Sequence, residues 1–572
     1  MIFVDEHSTI DAIFFRAAKK YAQASFLAVP ANAARAYDPA GREISYREAA
    51  SAVRELMQVY AAAGYGIGHR ISLLLENRPE HLLHKLAMNA LGICCVPLNT
   101  DHRPGELAYV LGHAQVDVVV VLTSLQAQLQ RALEHSHRTL EQRDREQKGL
   151  RQIQDNKPAV VLLESFATDL PHARHKAAST TPEPSTPASI LYTSGTTGQP
   201  KGCVLSHRYE LAAGAWYATR GGLSNFGEAC ERIYNPLPLF HVNASIFSFY
   251  CALLRGNCQI QSDRFQPSRW WTEVYESKAT VVHYLGVVVP MLLGQPEHPH
   301  EFDHCVRFAI GAGVDPQRHR VFEARFGFPL IEIWGMTEMV RAIIDNQVPR
   351  EIGSRAFGRA TPGLEVRVVD DNDVDLPIGE AGELIIRHSE TTPRKDFFSG
   401  YLDDEAATEA SWRGGWFHTG DIVTRDATDL LRFIDRRKNI IRRSGENIAA
   451  AEVEALLQAH PLVANVAVLA VKDEVREEEV LACVVLKDRT ADPVTMAKVL
   501  FEYCHTHLAY YKAPGWLYLT DSIPTTSTQK TQKHLLFEPG LDPRALAGMM
   551  DLRALKKRDA RPATTGNRQP AT

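Results

Sequence analysis

The chain has 572 residues, 45% hydrophobic and 23% charged, enough for two or more domains of roughly 100–200 residues each and too apolar for a disordered chain. With 63 Lys and Arg against 68 Asp and Glu, its formal charge is −5, so no field of one sign favours nucleic acid or an anionic membrane as partner. The nine cysteines show no CxxC spacing and are odd in number, which reads as free thiols in a reducing cytoplasm rather than a disulfide framework.

The N-terminal MIFVDEHSTIDAIFFRAAKKY carries acids where a signal peptide needs bases, and no uninterrupted apolar run of about 18 residues follows, so neither export nor a membrane span is expected. From about residue 45 to 123, amphipathic helical patterns alternate with apolar runs at 71–75, 94–98 and 116–122, predicting α/β layers around a buried sheet. Residues 124–157 turn to Gln, Arg and Glu and read as a solvated helix or a surface insertion. A Pro/Ser/Thr linker, KAASTTPEPSTPA, precedes a short strand at 189–192 that runs into a Gly/Thr-rich loop. The α/β pattern continues to about 434, with an apolar strand at 281–289 and a β-rich section at 364–370 and 382–387. Residues 452–486 alternate a helix, EVEALLQAH, with strands VANVAVLAV and LACVVL, predicting a small α+β unit. After 536 the chain turns polar and basic. The domain plan is therefore 1–435, 436–540, and a disordered tail over 541–572.

Residues 191–202, LYTSGTTGQPKG, are the most informative. Gly195 and Gly198 let backbone N–H groups close on oxygens, Thr193, Ser194, Thr196 and Thr197 offer hydroxyls, and Lys201 supplies charge, a set suited to polyphosphate. The spacing is not that of a Walker A loop, which disfavours a P-loop ATPase. The segment resembles the signature of the adenylate-forming superfamily of acyl-CoA synthetases, luciferases and peptide-synthetase adenylation domains.

Further motifs of that family follow in order. NPLPLFHVNA at 235–244 resembles the segment that places His241 at the carboxylate entrance. IGAGV at 310–314 resembles the strand end whose Gly311, Ala312 and Gly313 lie along adenine. IWGMTEM at 333–339 resembles the motif in which Trp334 covers adenine, Thr337 touches phosphate and Glu338 holds Mg²⁺. WFHTGDI at 416–422 assigns the ribose hydroxyls to Asp421. The 434–454 segment resembles the hinge region, with Arg436 near ribose, Lys438 at the hinge and Gly445 beside the pantetheine tunnel. IPTTSTQKTQK at 523–533 places the mobile catalytic lysine at Lys530, with Lys533 as second candidate, and departs from the family in having Gln529 where glycine is usual. Taken singly, each has a blander reading: His241 as a structural histidine, 311–313 as a turn, Thr337 and Glu338 as a helix cap, DRRK as a solvated charge run. Their order carries the resemblance.

The resemblance implies an α/β fold: a large N-terminal adenylate-forming domain of two αβα subdomains and a distorted β-barrel, followed by a small mobile α+β domain. It implies an ATP-dependent acid–thiol ligase that forms an acyl-adenylate, releases pyrophosphate and transfers the acyl group to coenzyme A, with an acyl carrier protein as the alternative acceptor. Lys530, Glu338, Thr337 and His241 are the catalytic set, and ATP, Mg²⁺ on Glu338 and coenzyme A the cofactors. The expected partners are a carboxylic acid, ATP and CoA, with a homodimer allowed. The wording ATVVHYLGVVVPMLL and GMTEM is similar to the carnitine/crotonobetaine–CoA ligase branch. The segments expected around the acyl group are mostly small or apolar, favouring a hydrophobic or medium-sized acyl group over a short polar one, with fatty, aromatic, steroid-side-chain and betaine-like acids all left open. Arg341 is either a surface salt bridge or a partner for a second substrate carboxylate.

Overall fold

The apolar runs become the inner strands of two sheets that share one core. The computed structural model describes residues 1–135, 157–193, 200–286, 288–314, 316–436, 440–488, 490, 492–524, 533, 536–538 and 540–557; Ser194, Gly195, Thr196, Thr197, Gly198, Lys438, Gln529 and Lys530 lie outside them. In the first sheet, of seven strands, Arg70–Leu74 is flanked in parallel by Cys94–Pro97 and Val118–Val121. All four valines of Val118–Val121 are fully buried, as expected where helices cover both faces of a parallel sheet. The second sheet has eight strands, with Val281–Leu285, Phe308–Ala312 and Leu330–Trp334 side by side and parallel. Helices His207–Ala218 and Ser248–Arg255 pack on each other in the core that spans the sheets, burying Tyr209, Tyr217 and Tyr250. Local signals explain the helix starts: Ser45 and Glu48 form a capping box on Tyr46–Ala62, and Pro79 occupies the first position of Pro79–Ala90.

The β-rich section forms a five-stranded antiparallel sheet in which Phe417–Arg425 lies between Gly382–Arg387 and Leu431–Arg436. The small domain has its own six-stranded sheet around Glu477–Leu486, covered by Ala450–Gln458 and Pro493–His507, with a separate apolar core of Val468, Val480, Val484, Leu500 and Phe501. No helix among the described residues is long and apolar enough to cross a membrane.

Two expectations are corrected. The polar stretch does not begin as a solvated element: residues 126–135 are helical, and Leu125, Leu129, Ala132 and Leu133 are buried. Their i, i+4, i+7, i+8 spacing is a core-facing stripe that the surrounding charges mask in composition. Nor does a disordered tail begin at 541. Met549–Asp551 pairs antiparallel with Trp516–Leu519, and the Lys556 ammonium is buried 2.5 Å from Glu479. The basic residues that look solvated in sequence neutralise acids of the small domain, Arg544 on Glu474 and Arg553 on Asp473.

Candidate active site

A cleft of about 1290 Å³ lies between the large and small domains, lined by Thr193, Lys201, His241, Ala312, Gly313, Trp334, Thr337, Glu338, Asp421 and Gly445 among others. Residues far apart in sequence meet there because the parallel strands of the second sheet end at this edge, where open α/β sheets bind ligands. On one wall, Thr193 closes strand Pro187–Thr193 and sits opposite Lys201, the first residue of Lys201–Ser206. Thr193 and Lys201 thus face each other at the end of an antiparallel strand pair. The Lys201 ammonium lies 4.7 Å from the Tyr401 ring centroid and 3.9 Å from Asp404 Oδ2.

Glu338, only 7% exposed, is held from several sides. The Tyr401 hydroxyl donates to its Oε1 at 2.8 Å, and the Phe398 N–H donates to its backbone carbonyl at 2.9 Å. The Tyr209 hydroxyl clamps the neighbouring backbone, donating to the carbonyls of Thr337 at 2.7 Å and Met339 at 3.1 Å. Burial, and then the charge of Glu338, pushes the Cys203 thiol well above its usual pKa, so it stays neutral beneath the carboxylate. A buried carboxylate such as Glu338 could hold Mg²⁺, which binds one or two carboxylates plus phosphate oxygens and water. An all-protein metal cage does not arise: among the described residues no group of three or more His, Cys, Asp or Glu is gathered for an ion.

At the end of the second sheet, the Trp334 indole N–H donates to Asp421 Oδ2 at 2.9 Å, fixing a carboxylate that is 2% exposed. Asp421 sits opposite Arg436 in the strand register. Gly311 has no room for a side chain, because a Cβ there would collide with the Tyr284 backbone and ring. The N–H groups of Gly313 and Val314 both donate to Glu332 at 3.1 Å; burial raises that carboxyl's pKa.

The small domain supplies the opposite wall. Gly445, at φ +82°, packs so tightly that a Cβ would strike Leu285, and Glu446 Oε2 lies 3.7 Å from His241 Nε2. Glu477 adopts φ +68°, rare for a residue with a side chain, and a Cβ placed on Gly313 would lie 3.3 Å from its Oε1. Burial pushes the Glu477 pKa up to about 8. Across the domain boundary, Lys512 Nζ lies 2.5 Å from Glu106 Oε1 and 2.8 Å from Glu452 Oε1. Burial alone would raise the Glu106 pKa, but the ammonium outweighs it and the net shift is downward. For Glu452, burial prevails and the shift is upward. Asn99 and Arg103 add bonds to the Tyr511 hydroxyl and the Leu508 carbonyl at 3.1 and 2.7 Å.

Two sequence readings change. Lys533 is held inside the small domain by Glu454 at 2.7 Å and the Val468 carbonyl at 2.9 Å. Arg341 is not a surface bridge: it is buried and bound to Asp396 at 2.6 Å. Sequence reading missed Tyr401, Tyr209 and the Glu106–Lys512–Glu452 cluster, whose members lie in different elements and carry no local spacing signal.

Two αβ layers, an antiparallel sheet and a small C-terminal domain around one cleft define the adenylate-forming architecture. The chain belongs to the AMP-binding enzyme family, whose main domain matches residues 14–402 and whose C-terminal domain matches residues 452–530. It is 28% identical to the crotonobetaine/carnitine–CoA ligase of Citrobacter koseri over 86% of this chain and 92% of that one. Among solved structures it resembles o-succinylbenzoate CoA synthetase from Bacillus subtilis, with TM-score 0.75 and 21% identity over 92% of this chain and 98% of that one. The amide bond synthetase McbA from Marinactinospora thermotolerans is similar with TM-score 0.71 and 25% identity, covering 91% and 98%.

Proposed function

We propose that this chain is an acid–thiol ligase that activates a carboxylic acid with ATP as an acyl-adenylate, releases pyrophosphate, and passes the acyl group to coenzyme A. The observation that carries the reading is the convergence of Lys201, Thr337, Glu338, Trp334 and Asp421 on one cleft faced by the small domain's Gly445. Activation asks little covalent work of the protein, which must align two anions and offset charge developing at the α-phosphorus. Thr193, Thr337 and Lys201 hold the phosphates, Trp334 covers adenine, and Asp421 accepts from the ribose hydroxyls. Lys530 bridges the acid and the α-phosphate. Mg²⁺, when bound through Glu338, supplies a positive charge to the phosphate oxygens. Support for the thiol step comes from Gly445, which the family resemblance places beside the pantetheine tunnel and which here packs against Leu285. His241, next to Glu446, borders the acid entrance. Nine free cysteines fit a reducing cytoplasm.

The test is a panel of fatty, aromatic and betaine-type acids incubated with purified protein, ATP and Mg²⁺, with and without CoA. Pyrophosphate release together with a CoA thioester for at least one acid is the expected result. Pyrophosphate and adenylate that CoA leaves untouched would favour a carrier protein or an amine as acceptor. ATP binding with no pyrophosphate from any acid would overturn the ligase reading.

A further inference from the structure

The segment 397–402 stitches together two parts of the cleft that nothing in the sequence links, the strand Lys201–Ser206 of the seven-stranded sheet and the turn at 335–342 between two strands of the eight-stranded sheet. Gly400–Tyr401 adds a short antiparallel strand to Lys201–Ser206, with Tyr401 opposite Cys203. The flanking residues extend the pairing: Ser399 N–H donates to the Val204 carbonyl and Leu402 N–H to the Gly202 carbonyl, both at 2.8 Å. Gly400 makes this possible with φ +137°, a region that favours glycine. The same segment grips the other side of the cleft, because Phe398 N–H donates to the Glu338 carbonyl at 2.9 Å and Met339 bridges Phe397.

Tyr401 completes both attachments with one side chain. Its hydroxyl donates to Glu338 Oε1 at 2.8 Å, and its ring face lies 4.7 Å from the Lys201 ammonium. The ring itself is braced by Phe398 at 4.8 Å between centroids, and the Tyr401 N–H is tied to Thr408 Oγ1 at 2.9 Å.

We propose that Tyr401 is a positioning residue that sets the metal-binding carboxylate and the phosphate-loop lysine in one frame, its hydroxyl orienting Glu338 and its ring seating Lys201. This rests on the ligase reading, in which those two groups meet the same triphosphate from opposite sides. The division of labour is specific. Losing the hydroxyl loosens Glu338 alone, whereas losing the ring also unseats Lys201, whose position over an aromatic face is favourable but weak.

The experiment measures binding without turnover. Free Mn²⁺ is followed by electron paramagnetic resonance in the presence of ATP and no acid, and metal-free ATP binding is followed by calorimetry. Tyr401→Phe should weaken Mn²⁺ binding about ten-fold, the usual scale for one hydrogen bond to a charged group, while metal-free ATP affinity stays within two-fold of wild type. Tyr401→Leu should show the same metal loss and a further few-fold loss of ATP affinity without metal. In a Glu338→Gln background, Tyr401→Phe should have no further effect on Mn²⁺, a coupling that mere packing would not produce. Unchanged Mn²⁺ binding in Tyr401→Phe, or a loss that persists undiminished with Glu338→Gln, would overturn the proposal. If Tyr401→Leu melts early, the isosteric Phe variant and the double mutant decide alone. A wild-type protein that binds no Mn²⁺ with ATP would instead overturn the reading of the site itself.

Discussion

Replacing Lys512 by methionine separates the two half-reactions. Lys512 is 6% exposed and links Glu106 of the large domain to Glu452 of the small one. Its bond to Glu452 stays within one domain, so it survives any domain movement; the 2.5 Å bond to Glu106 exists only while the domains are docked as seen here. Breaking a buried pair by removing one partner costs about 3–5 kcal/mol, because the remaining charge stays desolvated. The lower end applies, since Glu452, already raised by burial, can take up a proton and relieve part of the repulsion. About 3 kcal/mol against docking is about a hundred-fold fewer docked molecules. If this arrangement serves thiol attack, Lys512→Met should slow acyl-CoA formation from preformed adenylate about a hundred-fold in single-turnover quench experiments. The pyrophosphate burst should stay within about three-fold of wild type. Adding Glu106→Gln removes the stranded charge and should restore most of the thiol step. Equal losses in both half-reactions, or an unaltered thiol step, would refute the assignment of this docked state.

Other outcomes follow from the same geometry. Asp421→Ala removes the proposed ribose acceptor and should raise the KM for ATP at least ten-fold, with the KM for the acid unchanged; Trp334→Phe, which keeps the ring but drops the N–H held at 2.9 Å, should raise it only a few-fold. Glu477, raised by burial from an ordinary 4.5 to about 8, binds a proton in the folded state that the unfolded chain has released. Its contribution to stability is therefore full below about pH 4.5 and lost as pH rises through about 8. Glu477→Gln should melt with wild type at pH 5 and above it at pH 9; parallel melting curves across that range would count against the buried placement. Truncation after residue 540 removes the strand at Met549–Asp551 and the buried Lys556. It should destabilise the small domain by about 3 kcal/mol, read as a lowered melting temperature, and an unchanged melt would return residues 541–557 to the status of a tail.

Much of the architecture was legible because it is written in short-range pattern. The apolar run at 116–122 suggested a strand of a buried sheet, and the helix and strands read over 452–486 suggested a small α+β unit. The proposed site motifs are readable for a related reason: a segment suited to phosphate needs its glycines, hydroxyls and lysine consecutively, so LYTSGTTGQPKG would carry its expected chemistry locally. Where long-range neighbours decide, composition misled. Residues 126–135 read as solvated because their charges outnumber the stripe that packs inward, and 541–557 read as a tail because Arg544, Arg553 and Lys556 have their acids in another part of the chain.

The amino-acid sequence by itself determined the α/β class and the order of the large and small domains, and it marked the segments proposed for phosphate, adenine and ribose. Only the tertiary structure decided who holds those segments in place. Tyr401 reaches Glu338 from 63 positions away, Trp334 reaches Asp421 from 87, and Lys512 reaches Glu106 from 406. A hydrogen bond or ion pair needs partners within about 3 Å in space and imposes no spacing along the chain, so such contacts leave no mark in a sequence until it is folded.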